Sequence, residues 1–455
     1  MTTKIKIALL MGASLFMDIM DGTIVTTALP KMAQDFDVSV ASTSLLISTY
    51  LVAMAIFVPM SGWLAARFGN KRIWLTAVGL FTVSSLGAAL APNFAVLLVM
   101  RILQGVAGAM MTPVARLIVL GGIEPHEMLK MISYLIYPAL LAPTIAPILG
   151  GAIVTYWTWH WIFLINLPIG AVILALGWHM LPKDVAFVAR PFDWRGFLEL
   201  GLASILLLVG ADLAANGQQN WLLAGVFVLV GLILAVQVVF HLKRAAHPLF
   251  GLESMAIPSF RILIVGGQTV QILVAAMPYL MTLLLQTVFG WSAVVAGWYV
   301  LFIFIGNVGI KPVANKIVHA LGFKNTLLMA LLFVLVSSLL FALVTAQTAG
   351  WIIALLAMIS GVGRSLALTA YNGVGLSEVA PAQRNSANTL ISVSQTLAAG
   401  IGISLMTVLL QVLNLWLPVK AAFAGGFIFM GLLMLIPLIE VGLLPKTLGQ
   451  SALKK

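Results

Sequence analysis

The 455 residues contain no cysteine. That absence excludes disulfides, thiolate metal sites and cysteine nucleophiles together. Charge is scarce as well: Asp, Glu, Lys and Arg make up 8% of the chain, against roughly 25% in a soluble protein. Acids are the rarest, with 13 Asp and Glu against 24 Lys and Arg, a net charge of +11. There is no Gly-x-x-x-x-Gly-Lys-Ser/Thr loop, so nothing points to a nucleotide as energy source. What fills the chain is apolar, at 62% of residues. A core able to hide that much apolar surface from water does not exist at this length. The composition is that of an all-α polytopic membrane protein. The basic residues are islands between apolar runs, which a membrane explains and nucleic-acid binding does not.

Apolar stretches of about 20 residues are long enough to span a bilayer. Fourteen such stretches begin near Ile7, Ser42, Ile73, Phe94, Met131, Trp161, Gly196, Trp221, Phe260, Ala293, Thr326, Trp351, Leu390 and Ala421. With a cytoplasmic N-terminus, 19 of the 24 cations fall in inner segments, and only Lys31 and Lys420 in outer ones. Arg101, Arg116 and Arg364 lie within spans. The positive-inside bias therefore places both termini in the cytoplasm.

The chain also repeats itself. Residues 69–86, GNKRIWLTAVGLFTVSSL, align without gaps to 322–339, GFKNTLLMALLFVLVSSL, at an offset of 253. Gly105 and Pro125 match Gly361 and Pro381 at an offset of 256. Such a shift exceeds six spans by about 70 residues, which is room for two more. The expected organisation is a six-helix bundle over 1–182, a two-helix insertion over 183–258 and a second six-helix bundle over 259–455. Parallel six-span repeats are a transporter design with the substrate site at mid-depth between the halves, and alternating access arises from rocking one half against the other.

A charge at the bilayer centre costs about 2.5–3.5 kcal/mol on insertion scales, so each one needs a reason. Asp18 and Asp21 in the first span share a helix face. By residue count Asp21 and Arg101 lie at matched depth, about 12–14 Å below the outer surface at 1.5 Å per residue, and are expected to be neighbours. A carboxyl that alternates between a dry and a wet cavity alternates between neutral and ionised forms. Asp21 is thus a candidate proton carrier with Arg101 as its partner, and a permanent structural ion pair is the equally weighted alternative. Asp18 either shares the proton or is hydrated by the cavity. Arg364, in GVGRS of the twelfth span, has no acid at its depth in the second half, which favours a cavity role. Gln268 and Gln271 in the ninth span suit a cavity or an interhelical hydrogen bond equally. None of the six histidines is at mid-depth in a span, which argues against a histidine relay.

Several local patterns now become recognisable. MDGTIVTTALP (20–30) resembles the Leu-Asp-x-Thr-Ile-Val-Asn-x-Ala-Leu-Pro signature of the fourteen-span drug:proton antiporters, a branch of the major facilitator superfamily. GWLAARFGNKRI (62–73) resembles that superfamily's inner-loop motif, RILQGVAGA (101–109) its fourth-span motif, and APTIAPILGG (142–151) the antiporter motif of the fifth span. WHWIFLINLPIG (159–170) is typical of the same branch. The resemblance implies a major facilitator fold with two extra central helices, and a proton-coupled exporter of small amphipathic compounds working without cofactor or metal as a monomer in a bacterial inner membrane. It implies conformational roles for Gly62, Arg67, Gly69, Lys71 and Arg72, for Gln104 and Gly105, and for Pro143, Pro147, Gly150 and Gly151. The inner-loop cations would latch the halves, and the prolines would kink a closely packed fifth helix. Departures are specific: Ala66 replaces the motif's acid, Asn70 its second arginine, and Ala142 and Ala146 replace glycines. Asp18 is additional to the signature.

Two other readings compete. A transporter of an anionic metabolite is kept open by Arg101 and Arg364, which together can balance both aspartates. Asp18-x-x-Asp21-Gly22 has a superficial likeness to the aspartate motifs of membrane phosphotransferases. Such an enzyme needs a second acidic cluster and a cytoplasmic entrance, and the sequence offers neither.

Overall fold

The computed structural model describes residues 3–120, 125–182, 184, 191–215, 220–380 and 383–444, with some side chains near 120–140, 376–377 and 384–385 left undescribed. Its regular structure is helical. In chain order the long helices are α1 (Thr3–Asp35), α2 (Val40–Phe68), α3 (Asn70–Ala89), α4 (Phe94–Leu120), α5 (Pro125–Tyr156), α6 (His160–Met180) and α7 (Trp194–Ala215). They continue with α8 (Trp221–Arg244), α9 (Pro258–Val288), α10 (Ala293–Gly309), α11 (Lys311–Phe341), α12 (Gly350–Ser377), α13 (Arg384–Asn414) and α14 (Val419–Leu443).

Among the described residues, 12 helices are long and apolar enough to cross a membrane. The tenth expected span falls short of that mark, and the fifth, a helix of 32 residues, is fully described only over its second half. The apolar helix described in α5 is Leu141–Tyr156, and α10 has 17 residues between the end of α9 and Lys311. Helix α5 carries three internal prolines, Pro138, Pro143 and Pro147, each without a backbone donor. Helix α1 tightens to a 3-10 turn over Val25–Ala28 just before Pro30. Helix α9 is π-wound at Leu263–Gly267 and again at Leu284–Val288.

The chain groups into two compact units, residues 1–208 with 229–249, and 209–228 with 250–455. The first part of α7, through Leu208, and the second part of α8, from Leu229, therefore belong to the first unit, and the remainder of each to the second. Within the first unit α1 packs on α5, α2 on α4, and α3 on both α4 and α6. Within the second the pattern recurs eight helices later: α9 on α13, α10 on α12, and α11 on α12 and α14. The core of the first unit gathers Met11, Leu15, Trp74, Phe81, Met111 and Ile173. The largest fully buried side chains of the second include Phe260, Tyr279, Phe341, Tyr371 and Phe427.

The repeat read from sequence recurs in backbone detail. Gly69 and Gly322, equivalent at the 253 offset, both have positive φ, 96° and 77°, a conformation glycine adopts without strain. A Cβ on Gly105 would run into the carbonyl of Tyr50, and one on Gly361 into that of Ile303. Those two carbonyls are themselves 253 residues apart. The same close helix contact is thus built twice.

Candidate functional site

In the first unit, α1, α2, α3, α4 and α6 bring one polar cluster together in an otherwise apolar interior. Asp18 and Asp21 are 4% and 0% exposed, and Arg101 and Gln104 0%. Asp21 Oδ2 is paired with Arg101 Nη1. Its other oxygen accepts from Asn166 Nδ2 at 2.7 Å and from Gln104 Nε2 at 3.3 Å. Arg101 is held from three further sides. Its Nε donates to the Leu46 carbonyl at 2.8 Å, Nη1 donates to Gln104 Oε1 at 2.8 Å, and Tyr50 lies beneath its guanidinium with the ring centroid 4.4 Å away. Gln104 Nε2 reaches Ser85 Oγ at 2.8 Å and closes the network against α3. The depth match between Asp21 and Arg101 is therefore a direct ion pair.

Asp18 sits apart from that pair. The Tyr50 hydroxyl donates to its Oδ1 at 2.5 Å, and the Thr112 hydroxyl is a second partner. Gly108 makes the seat, because a Cβ there would strike the Asp18 carboxylate. The fourth-span motif is thus spent residue by residue on this site. Arg101 and Gln104 hold Asp21, Gly105 lets α4 lie against the α2 backbone at Tyr50, and Gly108 admits Asp18. Two carboxylates here face one guanidinium.

In the second unit Arg364 is 1% exposed, and no described acid forms an ion pair with it. Its Nη1 donates to the carbonyls of Leu273 at 3.3 Å and Val274 at 3.1 Å, while Nε is buried without a partner. Pro278 lies four residues after Val274 and has no N–H to satisfy that carbonyl. The guanidinium occupies the place of the missing donor. Gln268 is 9% exposed and neither of its side-chain polar atoms is partnered, whereas Gln271 is only half-buried. Tyr371 and Glu440, from α12 and α14, converge on Gly266 in the π-wound turn. The tyrosine hydroxyl and Glu440 Oε2 are both buried without partners.

The inner-loop residues have a role inside one half. Lys71 Nζ donates to the carbonyls of Trp178 and Leu181 at the end of α6, both at 2.7 Å. The Asp184 carboxylate accepts from the backbone N–H of Lys71 at 2.8 Å and of Arg72 at 3.1 Å, which caps α3. Gly69 must be glycine twice over, for its φ and because a Cβ would enter the Asp184 carboxylate. Arg67 lies over the rings of Trp63 and Phe68 at 5.3 and 5.7 Å, and Arg72 is exposed. Gly62 is exposed with nothing described within 4 Å of a Cβ built on it, so no close packing there requires a glycine. In α5, Gly150 meets Ile24 and Thr27 of α1, and Gly151 is buried.

Sequence reasoning missed Tyr50, Ser85, Asn166 and Asp184. Two carried a usable signal. Asn166 is a lone amide in the apolar run WIFLINLPIG, and Asp184 is the first acid after α6.

Comparison with known proteins bears on the family and the fold. The family model described as Major Facilitator Superfamily matches residues 11–403. A protein of Pectobacterium atrosepticum named multidrug resistance protein MdtD is 31% identical over 451 residues, covering 97% of this chain and 96% of that one. One of Haemophilus influenzae named as transport protein HsrA is 32% identical over 400 residues, covering 88% and 86%. Among solved structures, a POT family transporter in complex with 5-aminolevulinic acid has a TM-score of 0.70 at 15% identity, covering 96% of this chain and 95% of its own. The D-xylose-proton symporter has a TM-score of 0.64 at 14% identity, covering 98% of each. A repeated helical fold, membrane-length apolar helices and a family match over most of the sequence lead to one assignment: the chain belongs to the Major Facilitator Superfamily and is a multi-pass membrane transporter of small molecules.

Proposed function

We propose that the chain is a proton-coupled secondary transporter that exports small amphipathic compounds by alternating access. Fourteen helices arranged as six, two and six would cross a bacterial inner membrane, with both termini cytoplasmic and the monomer as working unit. The observation that carries the reading is the charge balance of the buried cluster in the first unit. Asp18 and Asp21 present two carboxylates to one arginine, so one proton makes the cluster neutral. A membrane interior penalises the unprotonated state and a water-filled cavity relieves it. Opening to opposite sides then loads and unloads that proton, while the drug-resistance names among relatives favour export of amphipathic compounds.

The direct test is transport of ethidium in proteoliposomes under an imposed pH gradient. Gradient-driven ethidium movement by the wild-type chain, abolished by Asp21→Asn and by Asp18→Asn, is the expected result. Movement that ignores the gradient overturns proton coupling. The second reading, transport of an organic anion, is favoured by Arg364, a buried guanidinium with carbonyls in place of a counter-ion. Under that reading a fluorescent organic anion is carried in place of ethidium, and Arg364→Ala abolishes its transport.

A further inference from the structure

The two aspartates of the cluster are held so differently that they cannot share one job. Asp21 is the acceptor for three N–H donors from Arg101, Gln104 and Asn166. Its protonation would strand a buried guanidinium and weaken all three bonds at once. Those donors are themselves tied to Ser85 and the Leu46 carbonyl, and every bond that reaches Asp21 comes from an N–H that cannot accept a proton in return. Among the described residues Asp18 is bonded by hydroxyls, those of Tyr50 and Thr112. A hydroxyl both donates and accepts, and can therefore serve a carboxylate and a carboxylic acid alike.

We infer that Asp18 is the residue that takes up and releases the transported proton, that Tyr50 is its positioning residue, and that Asp21 stays ionised as the permanent counter-ion of Arg101. The chemistry is one O–H bond formed on an Asp18 carboxyl oxygen as the proton arrives from water and broken as it leaves. Tyr50 keeps its own proton and changes only the hydrogen bond it makes. The tyrosine spans the two halves of the cluster, since its hydroxyl holds Asp18 while its ring lies against the Arg101 guanidinium. The charged and titratable groups that face Asp18 are Tyr50 from α2, Arg101 from α4 and Asp21 from its own helix. Among the described residues of α5 and α6 that touch α1, Leu135 and Pro138 meet it at Gly12 and Asn166 at Asp21, and none of the three carries a charge. Gly108 is part of the device, because only a residue without Cβ lets the carboxylate rest against α4.

This inference deepens the proton-coupled reading and rests on it, but its test needs no substrate. Infrared titration of the full-length chain in liposomes, with protons as the only ligand, reads the carboxylic C=O stretch as pH falls. The wild type is expected to show a titrating band that Asp18→Asn removes and Asp21→Asn retains. Tyr50→Phe keeps the band and shifts its frequency, because the hydroxyl bond to the carboxyl is gone. Where Asp18→Asn yields no folded protein, Gly108→Ala displaces the same band without changing any charge. A band that survives Asp18→Asn and disappears in Asp21→Asn overturns the assignment, as does its insensitivity to both Tyr50→Phe and Gly108→Ala. Failure of pH-driven ethidium transport alongside an intact Asp18 band counts against the export reading and supports the proton site itself.

Discussion

The two repeat halves place different chemistry on equivalent positions. In the register of the repeat, Tyr50 corresponds to Ile303, Asp18 to Gln271, Asp21 to Val274, Arg101 to Ala357, Gln104 to Ser360 and Gly108 to Arg364. The first half therefore has its charges on both facing helices, α1 and α4, and pairs them. At these equivalent positions the second has a single charge, on α12, facing the Val274 backbone carbonyl where the first half has the Asp21 carboxylate. Ser85 and Ser338 show the consequence. Ser85 accepts from Gln104, while its counterpart Ser338 is buried without a partner because position 360 offers a short serine instead of a glutamine. The same helix packing thus supports a charge-paired polar network in one half, with Arg101 Nη2 and Asn166 Oδ1 left over, and an arginine without a described counter-ion among unpaired groups in the other. Interhelical geometry is dictated by the small residues, such as Gly105 and Gly361, and chemistry is free to diverge around them.

The largest effect expected from this contrast is on stability. Arg101→Ala leaves Asp21 buried without its cation and should cost about 3–5 kcal/mol, read from unfolding of the purified protein in detergent. Arg364→Ala removes a donor from two carbonyls and strands no ionised partner, so a loss of about 1–3 kcal/mol is expected. Equal losses would mean that Arg364 has a counter-ion after all, and the contrast between the halves would fail. Asp21→Asn combined with Arg101→Gln should be less damaging than Arg101→Ala alone, because no uncompensated charge remains.

A sharper form concerns Pro278. If Arg364 replaces the donor that proline lacks, then Pro278→Ala restores an N–H to Val274 and makes Arg364 less necessary. A double-mutant cycle between Pro278→Ala and Arg364→Ala should return a coupling of about 0.5–1.5 kcal/mol. Additive losses would indicate that the guanidinium serves something other than the proline gap.

Much of this was legible in the sequence, for physical reasons that differ by residue. Span positions follow from apolar length, and the tenth helix lies at the short end of what crosses a bilayer because it has 17 residues. The pairing of Asp21 with Arg101 was readable because depth in a membrane helix is a matter of counting at a fixed rise. Tyr50 was invisible by the same logic. Its depth could be counted, but nothing in an apolar helix says which face of α2 meets α1. Arg364 was identified as uncompensated, yet its carbonyl partners depend on a missing donor one turn beyond Val274, and only the fold shows the two helices meeting there. The inner-loop cations read as a latch by resemblance, an incomplete one because Ala66 stands where the motif has its acid. The structure supplies an acid from outside the motif, at Asp184.

That substitution of one acid for another yields the smallest contrast. Lys71 and Lys324, equivalent in the repeat, both donate to carbonyls at the end of the last helix of their half. Lys71 binds Trp178 and Leu181, and Lys324 binds Gly442 at 2.8 Å and Leu444 at 2.5 Å. Replacing either by Met should cost a similar amount, about 0.3–1 kcal/mol, since each is a cation at a helix C-terminus. Beside Gly69 the Asp184 carboxylate fills the space where a Cβ would go, whereas nothing described lies within 4 Å of a Cβ on Gly322. Asp184→Ala removes the α3 cap and is expected to cost about 0.5–2 kcal/mol. Combined with Lys71→Met it should show coupling, because the Lys71 ammonium binds the Leu181 carbonyl three residues before Asp184, so both substitutions loosen the same segment against α3. With Lys324→Met it should be additive, because the two sites belong to different halves. Coupling of equal size in both combinations would mean that the α3 cap and the α11 lysine act as one inner latch. Additivity confined to the Lys324 pair would mean that each half secures its last helix on its own.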